Sequence, residues 1–159
     1  MVRVSGRGLT LPSSGPAFGG PLKSNVRPHM FTFWRNRKFE DSQLGRFRRV
    51  RTMWYQVVPP AGLGVSVEGG RECPLPEGIE IARGLLRDPD ASVQAATDFI
   101  RADARALEFM EGNGDLICDG FTVYMSGRFA VEFSLKGWPD AMITVPFEEG
   151  APCDVLLGD

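Results

Sequence analysis

Helix-forming periodicity in this chain is gathered into one block, residues 76 to 111, with strand-like segments grouped before and after it. In "PEGIEIARGLLRD", Pro76 suits a first helical turn and Glu77 and Glu80 lie near the positive N-terminal end. Ile79, Ala82, Leu85 and Leu86 recur along one side. A second helix is predicted directly after it: Asp88 caps it and Pro89 takes its first position. Val93, Ala96, Ile100, Ala104 and Leu107 form one apolar stripe that runs to Gly112. Four segments precede the block ("MFTFW", "GRFRRVR", "TMWYQVV", "LGVSVEG") and three follow it ("DLICDGFTVYM", "RFAVEFSL", "AMITVPF"), all rich in β-branched and aromatic residues. Ser126-Gly127 reads as a hairpin turn, and the adjacent Arg48 and Arg49 suggest a bulge between Phe47 and Val50. Strands grouped around helices, instead of alternating with them, predict an α+β fold. Its mainly antiparallel sheet has the order ββββ-αα-βββ, with two helices packed on one face.

A chain of 159 residues with 43% apolar composition fits one domain, expected over 30–159. Residues 1–29 hold five glycines and four prolines without apolar periodicity, the composition of a disordered leader. Nothing approaches the roughly 18 to 20 apolar residues of a membrane span, and no signal-peptide core is visible, so a cytoplasmic location is expected. Cys73, Cys118 and Cys153 are odd in number, far apart and without a CxxC pair, which points to reduced thiols and away from disulfides or a zinc knuckle.

Several chemistries are excluded by the residues present. The single histidine, His29, falls in the leader, which leaves a Ser-His-Asp or Cys-His constellation without its base. "GLGVSV" carries two glycines of a dinucleotide fingerprint without the third, and "GVSVE" has Glu68 where a nucleophile elbow needs glycine. Glu111, Asn113 and Asp115 alternate as the first ligands of a calcium loop do, but Leu116 and Thr122 stand at its sixth and twelfth positions, so the segment reads as a helix-to-strand turn. Asp115, Asp119 and Glu132 can share a sheet face, the arrangement a small carboxylate-dependent enzyme requires; Asp119-Gly120 also reads as a turn pair, and Cys118 as a small buried group. No catalytic residue, metal or cofactor is assigned.

Charge is divided along the chain. Residues 30–55 carry a net +5 and residues 56–159 a net −11. One reading makes the basic and aromatic segment 31–55 a nucleic-acid surface built on Arg46, Arg48, Arg49 and Arg51. The favoured reading pairs Arg35, Arg37 and these four with acids of the helices or later strands, while Phe47 and Trp54 fill the core.

Phe39, Asp41, Leu44, Gly45 and Phe47, followed by the Trp54 strand, the "PEGIEIARGLL" helix and a helix ending in "DFI", resemble small uncharacterised bacterial α+β domains, some of them among immunity proteins of polymorphic toxin systems. The resemblance spans residues 31 to about 145 and implies a binding protein without catalysis, which occludes a toxin by shape and charge. The leading expectation is therefore a cytoplasmic protein-binding module. Its partner, a basic toxin domain on the immunity reading, would meet Glu77, Glu80, Asp98, Asp103 and Glu108 on the helices.

Overall fold

The computed structural model describes residues 37–59 and 62–158. The leader, His29, Arg35 and the expected strand "MFTFW" lie outside the described residues. Among the described residues nine strands form one sheet: β1 (Lys38–Asp41), β2 (Gly45–Val50), β3 (Met53–Gln56), β4 (Gly64–Glu68), β5 (Leu116–Val123), β6 (Phe129–Leu135), β7 (Trp138–Glu148), β8 (Ala151–Pro152) and β9 (Leu156–Gly158). They follow chain order from β1 to β8, and β9 pairs with β7. All pairings are antiparallel except β4 with β5. A parallel neighbour requires a long crossover, and the helical block supplies it as α1 (Pro76–Arg87), α2 (Asp90–Ala102) and α3 (Ala104–Met110).

The class is thus α+β with a mostly antiparallel sheet, and the other six expected strands stand where their alternation puts them. β1, β8 and β9 are additions to the expected order, each four residues or fewer and too short to display a period. No bulge interrupts Phe47 to Val50, whose partners run continuously from Gln56 to Met53. Arg49 sits on the core side of β2 without distorting it, because its long stem carries the guanidinium out to donate to the Gly70 carbonyl at 3.0 Å.

Fully buried Trp54, Phe47, Phe121 and Phe133 anchor the core, joined by the valines and isoleucines on the same side of β4 to β7. Helix α1 lies directly on β4: a Cβ at Gly78 would meet Val67 Cγ1 at 2.7 Å, so glycine permits the close approach. Ile79, Ala82 and Leu85 fill the space beside it.

The single long second helix expected from the sequence is two helices. At Asp103 the backbone turns extended (φ −91°, ψ 116°), and the Asp103 carboxylate accepts from the Arg105 and Ala106 amides at 2.8 and 3.3 Å. Aspartate satisfies exposed amides at a helix start better than it continues a helix, so it restarts the chain as α3. The restart rotates the apolar stripe: Ala96 and Ile100 are buried, but Ala104 and Leu107 face solvent and Ala106 replaces them. Asp88 does not cap α2; its amide closes α1 on the Gly84 carbonyl at 3.2 Å, and Pro89 holds the cap position. Gly112 takes the positive φ expected after the block, and Ser126-Gly127 turns between β5 and β6. No helix among the described residues is long and apolar enough to cross a membrane.

Residues 38–50 build the β1–β2 hairpin. Asp41 Oδ1 accepts from the Gln43 and Leu44 amides at 3.0 and 2.9 Å, Leu44 is buried, and Phe39 faces Phe47 across the strands. Arg83 of α1 donates to Asp41 Oδ2 at 2.5 Å and ties the hairpin to the helix layer. Burial pushes the Asp41 carboxyl up, but the Arg83 hydrogen bond, the two turn amides and the Arg83 charge outweigh it and hold the group below its ordinary value. A depressed folded pKa stabilises the fold above the unfolded value of about 3.9, and that contribution disappears as pH falls through the folded value. Urea midpoints measured from pH 6 to pH 2.5 should therefore drop less steeply below about pH 4 for Asp41→Asn than for the parent. Identical slopes would remove Asp41 from the acid-sensitive part of the fold.

Candidate functional site on the open sheet face

Side chains alternate across a strand, so the face of the sheet opposite the buried core carries Arg46, Arg48 and Val50 from β2 and Tyr55 from β3. Ser66 and Thr122 follow from β4 and β5, Glu132 and Ser134 from β6, and Met142 and Leu156 from β7 and β9. Its borders are exposed at Arg46, Arg48, Val50, Tyr55, Ile117, Met142 and Leu156. Its centre is built of small residues.

Register places Gly64, Gly120, Glu132, Thr144 and Leu156 in one row across β4 to β9. At its head the two glycine backbones close on each other. A Cβ at Gly120 would stand 2.0 Å from the Gly64 carbonyl oxygen, and φ there is 147°, a region essentially confined to glycine. With no side chain at either position the face is notched. The cavity measures about 140 Å³ and is lined by Tyr55, Gln56, Ser66, Asp119 and Glu132 around the two glycines.

A hydrogen-bonded chain runs along one wall. Thr122 Oγ1 donates to Glu132 Oε1 at 2.5 Å, and Ser66 Oγ lies 2.7 Å from Thr122 Oγ1. Ser66 and Thr122 are each 7% exposed. Ser134 Oγ donates to Asp119 Oδ1 at 3.1 Å, and Gln56 is held at the far wall by its bonds to the Leu44 carbonyl and the Val65 amide. Tyr124, just past the end of β5, has its phenol pushed up by burial and further by the charges of Glu132 and Glu68.

Of the three acids read as one face, Asp119 and Glu132 do meet at the notch; Asp115 precedes β5 and is not among its lining residues. Asp119-Gly120 is not a turn. It is a bulge inside β5, where pairing with β6 skips from Cys118 to Gly120, and the parallel neighbour β4 pins Gly120 beside Gly64. Tyr55, Ser66 and Thr122 were missed by the sequence reading. Their signal was the alternation of Gly64, Ser66 and Glu68, and of Gly120 and Thr122, with apolar residues: small polar groups on one side of two adjacent strands.

The four arginines of the nucleic-acid reading do not share a surface. Arg46 and Arg48 stand on the open face, Arg49 turns to the Gly70 carbonyl, and Arg51 occupies the β2–β3 turn at φ 56°. Nor do they pair as expected. Among the described residues Arg46, Arg48, Arg49 and Arg51 form no ion pair, and Arg37 reaches Glu72 in the loop before α1. Arg37 and Arg49 meet the loop before α1 instead of the helices, and Arg46 and Arg48 lie on the opposite face of the sheet from the helices.

The five helical acids are also divided. Glu77 and Glu108 are exposed, Asp98 accepts from Gln94 at 2.9 Å, Glu80 bonds Arg83 at 2.5 Å, and Asp103 is committed to its cap and to Arg105. Cys118 is half-buried on the core side, where desolvation raises its thiol pKa, so its thiolate is scarce at neutral pH. Glu111, Asn113 and Asp115 form the turn expected of them: Asn113 bonds the Met110 carbonyl, and its own carbonyl accepts from Gly137.

No family model, no curated protein and no solved structure matches this chain.

Proposed function

We propose that this protein is a non-catalytic cytoplasmic module that binds another protein, in the manner of an immunity protein, and that it does so with the open face of its sheet. The observation that carries the reading is the concentration of exposed large apolar side chains there: Val50, Tyr55, Ile117, Met142 and Leu156 share one face, bordered by Arg46 and Arg48 and centred on the Asp119–Glu132 notch. Large apolar and aromatic side chains set among polar groups, with arginines at the border, are the composition of a protein interface. The helical acids supply a weaker surface, because Glu80 and Asp103 are already paired to neighbouring arginines.

A nucleic acid is the alternative occupant, favoured by the juxtaposition of Arg48 and Tyr55 as cross-strand partners. Photo-crosslinking in the source cells separates the readings. A benzophenone side chain placed at Tyr55 or at Met142 should yield the same protein adduct of discrete mass, untouched by nuclease, and the same group at exposed Leu107 on α3 should not. Adducts that nuclease removes would replace the protein-binding reading with the nucleic-acid one. Adducts at Leu107 alone would move the interface to the helices, and none at any position would end the proposal.

A further inference from the structure

We infer that the notch between Gly64, Gly120 and Glu132 is a receptor for a single cationic side chain, a lysine or, better, an arginine. As the binding pocket of the open face it rests on the reading above, but the chemistry that selects a cation is local. An ionised Glu132 only accepts hydrogen bonds, so the one proton of Thr122 is directed at Glu132 Oε1 and Ser66 must give its own proton to Thr122. Ser66, more than nine-tenths buried and lining the cavity, is left with an acceptor oxygen that no donor among the described residues fills. Asp119 stands exposed at the rim: Ser134 supplies one donor to Oδ1, and Oδ2 remains open to a ligand that displaces solvent. Three side chains thus present acceptors to one small space, and a ligand with several N–H donors and a positive charge is what satisfies them.

Size and flank narrow the class. The cavity of about 140 Å³ is well below the ~300 Å³ at which pockets for whole small molecules begin, so it admits the end of a side chain and not a nucleotide or a sugar. Tyr55 borders it with an exposed ring, a surface on which a planar guanidinium stacks. Arg46 and Arg48 stand on β2, on the far side of β3 from the two glycines, and neither lines the notch.

The test needs no natural partner. The full chain, labelled with ¹⁵N, is titrated with N-acetyl-arginine N-methylamide and, separately, with the neutral citrulline analogue of the same shape. The arginine compound should shift the Gly64, Gly120 and Thr122 amides saturably in the millimolar range, and the citrulline compound should not. Glu132→Gln should weaken the arginine titration about tenfold, the loss of one charge-assisted bond. Gly64→Ala serves as the second variant: its methyl would lie 3.6 Å from the Asp119 carbonyl oxygen, an ordinary contact, so the fold survives while the notch floor is filled. Equal shifts with citrulline, no shift at these amides, or an arginine titration unchanged in both variants would overturn the assignment. Because the probe is a small molecule, failure here is separate from failure of the crosslinking experiment.

Discussion

Gly120→Ala is expected to destabilise the protein by about 4 kcal/mol or more, against less than about 1 kcal/mol for Gly64→Ala, its neighbour across β4 and β5. Two effects combine at Gly120. A side chain is strained at φ 147°, which costs about 1 to 3 kcal/mol, and its Cβ would fall 2.0 Å from the Gly64 carbonyl oxygen and 2.7 Å from the carbonyl carbon. Those atoms are backbone and cannot swing aside, so relief requires the parallel pair itself to separate. At Gly64 the nearest atom to an added Cβ is 3.6 Å away. Urea denaturation of both variants measures the contrast. Equal midpoints would mean that β4 and β5 do not meet closely at this pair, and the notch would lose its floor.

Trp54→Ala should cost about 3 to 5 kcal/mol, the range for removing a large ring from a core. Trp54 is 0% exposed, touches Phe39 edge-on at a centroid distance of 6.2 Å, and donates from Nε1 to the Gly70 carbonyl at 3.2 Å. Trp54→Phe separates the two contributions. It retains most of the packing and loses one hydrogen bond, for which about 1 kcal/mol is expected; the Gly70 carbonyl keeps its bond from Arg49. Thermal or urea unfolding of both variants checks the order. A Trp54→Ala protein as stable as its parent would place the ring outside the core.

Trp54 and Gly120 differ in how local the determinants of their environments are. Trp54 lies in a run of alternating, strand-forming residues, and its burial was expected from that run alone. Gly120 was read as half of a turn, because Asp-Gly between two hydrophobic stretches is the usual mark of one. What places it inside a strand is pairing on both sides, with Glu132 of β6 and with Gly64 of β4, 56 residues earlier in the chain. No local pattern carries that distance.

The same division runs through the molecule. Period and end signals in the sequence determined the α+β class, six of the strands, the start of α1 at Pro76 and the core places of Phe47 and Trp54, since each depends on residues a few positions apart. The break at Asp103 was also local, but a continuous apolar stripe concealed a side chain better suited to capping. Tertiary structure alone decided which side chains meet. Arg83 of α1 finds Asp41 at the end of β1, Arg46 and Arg48 part from Arg49 and Arg51, and Ser66, Glu132 and Asp119 converge from three strands on one notch, with Thr122 bonded behind them. Alternation tells which face of its own strand a residue takes. Only register across the sheet, fixed by the helical crossover between β4 and β5, tells which residues of other strands stand beside it.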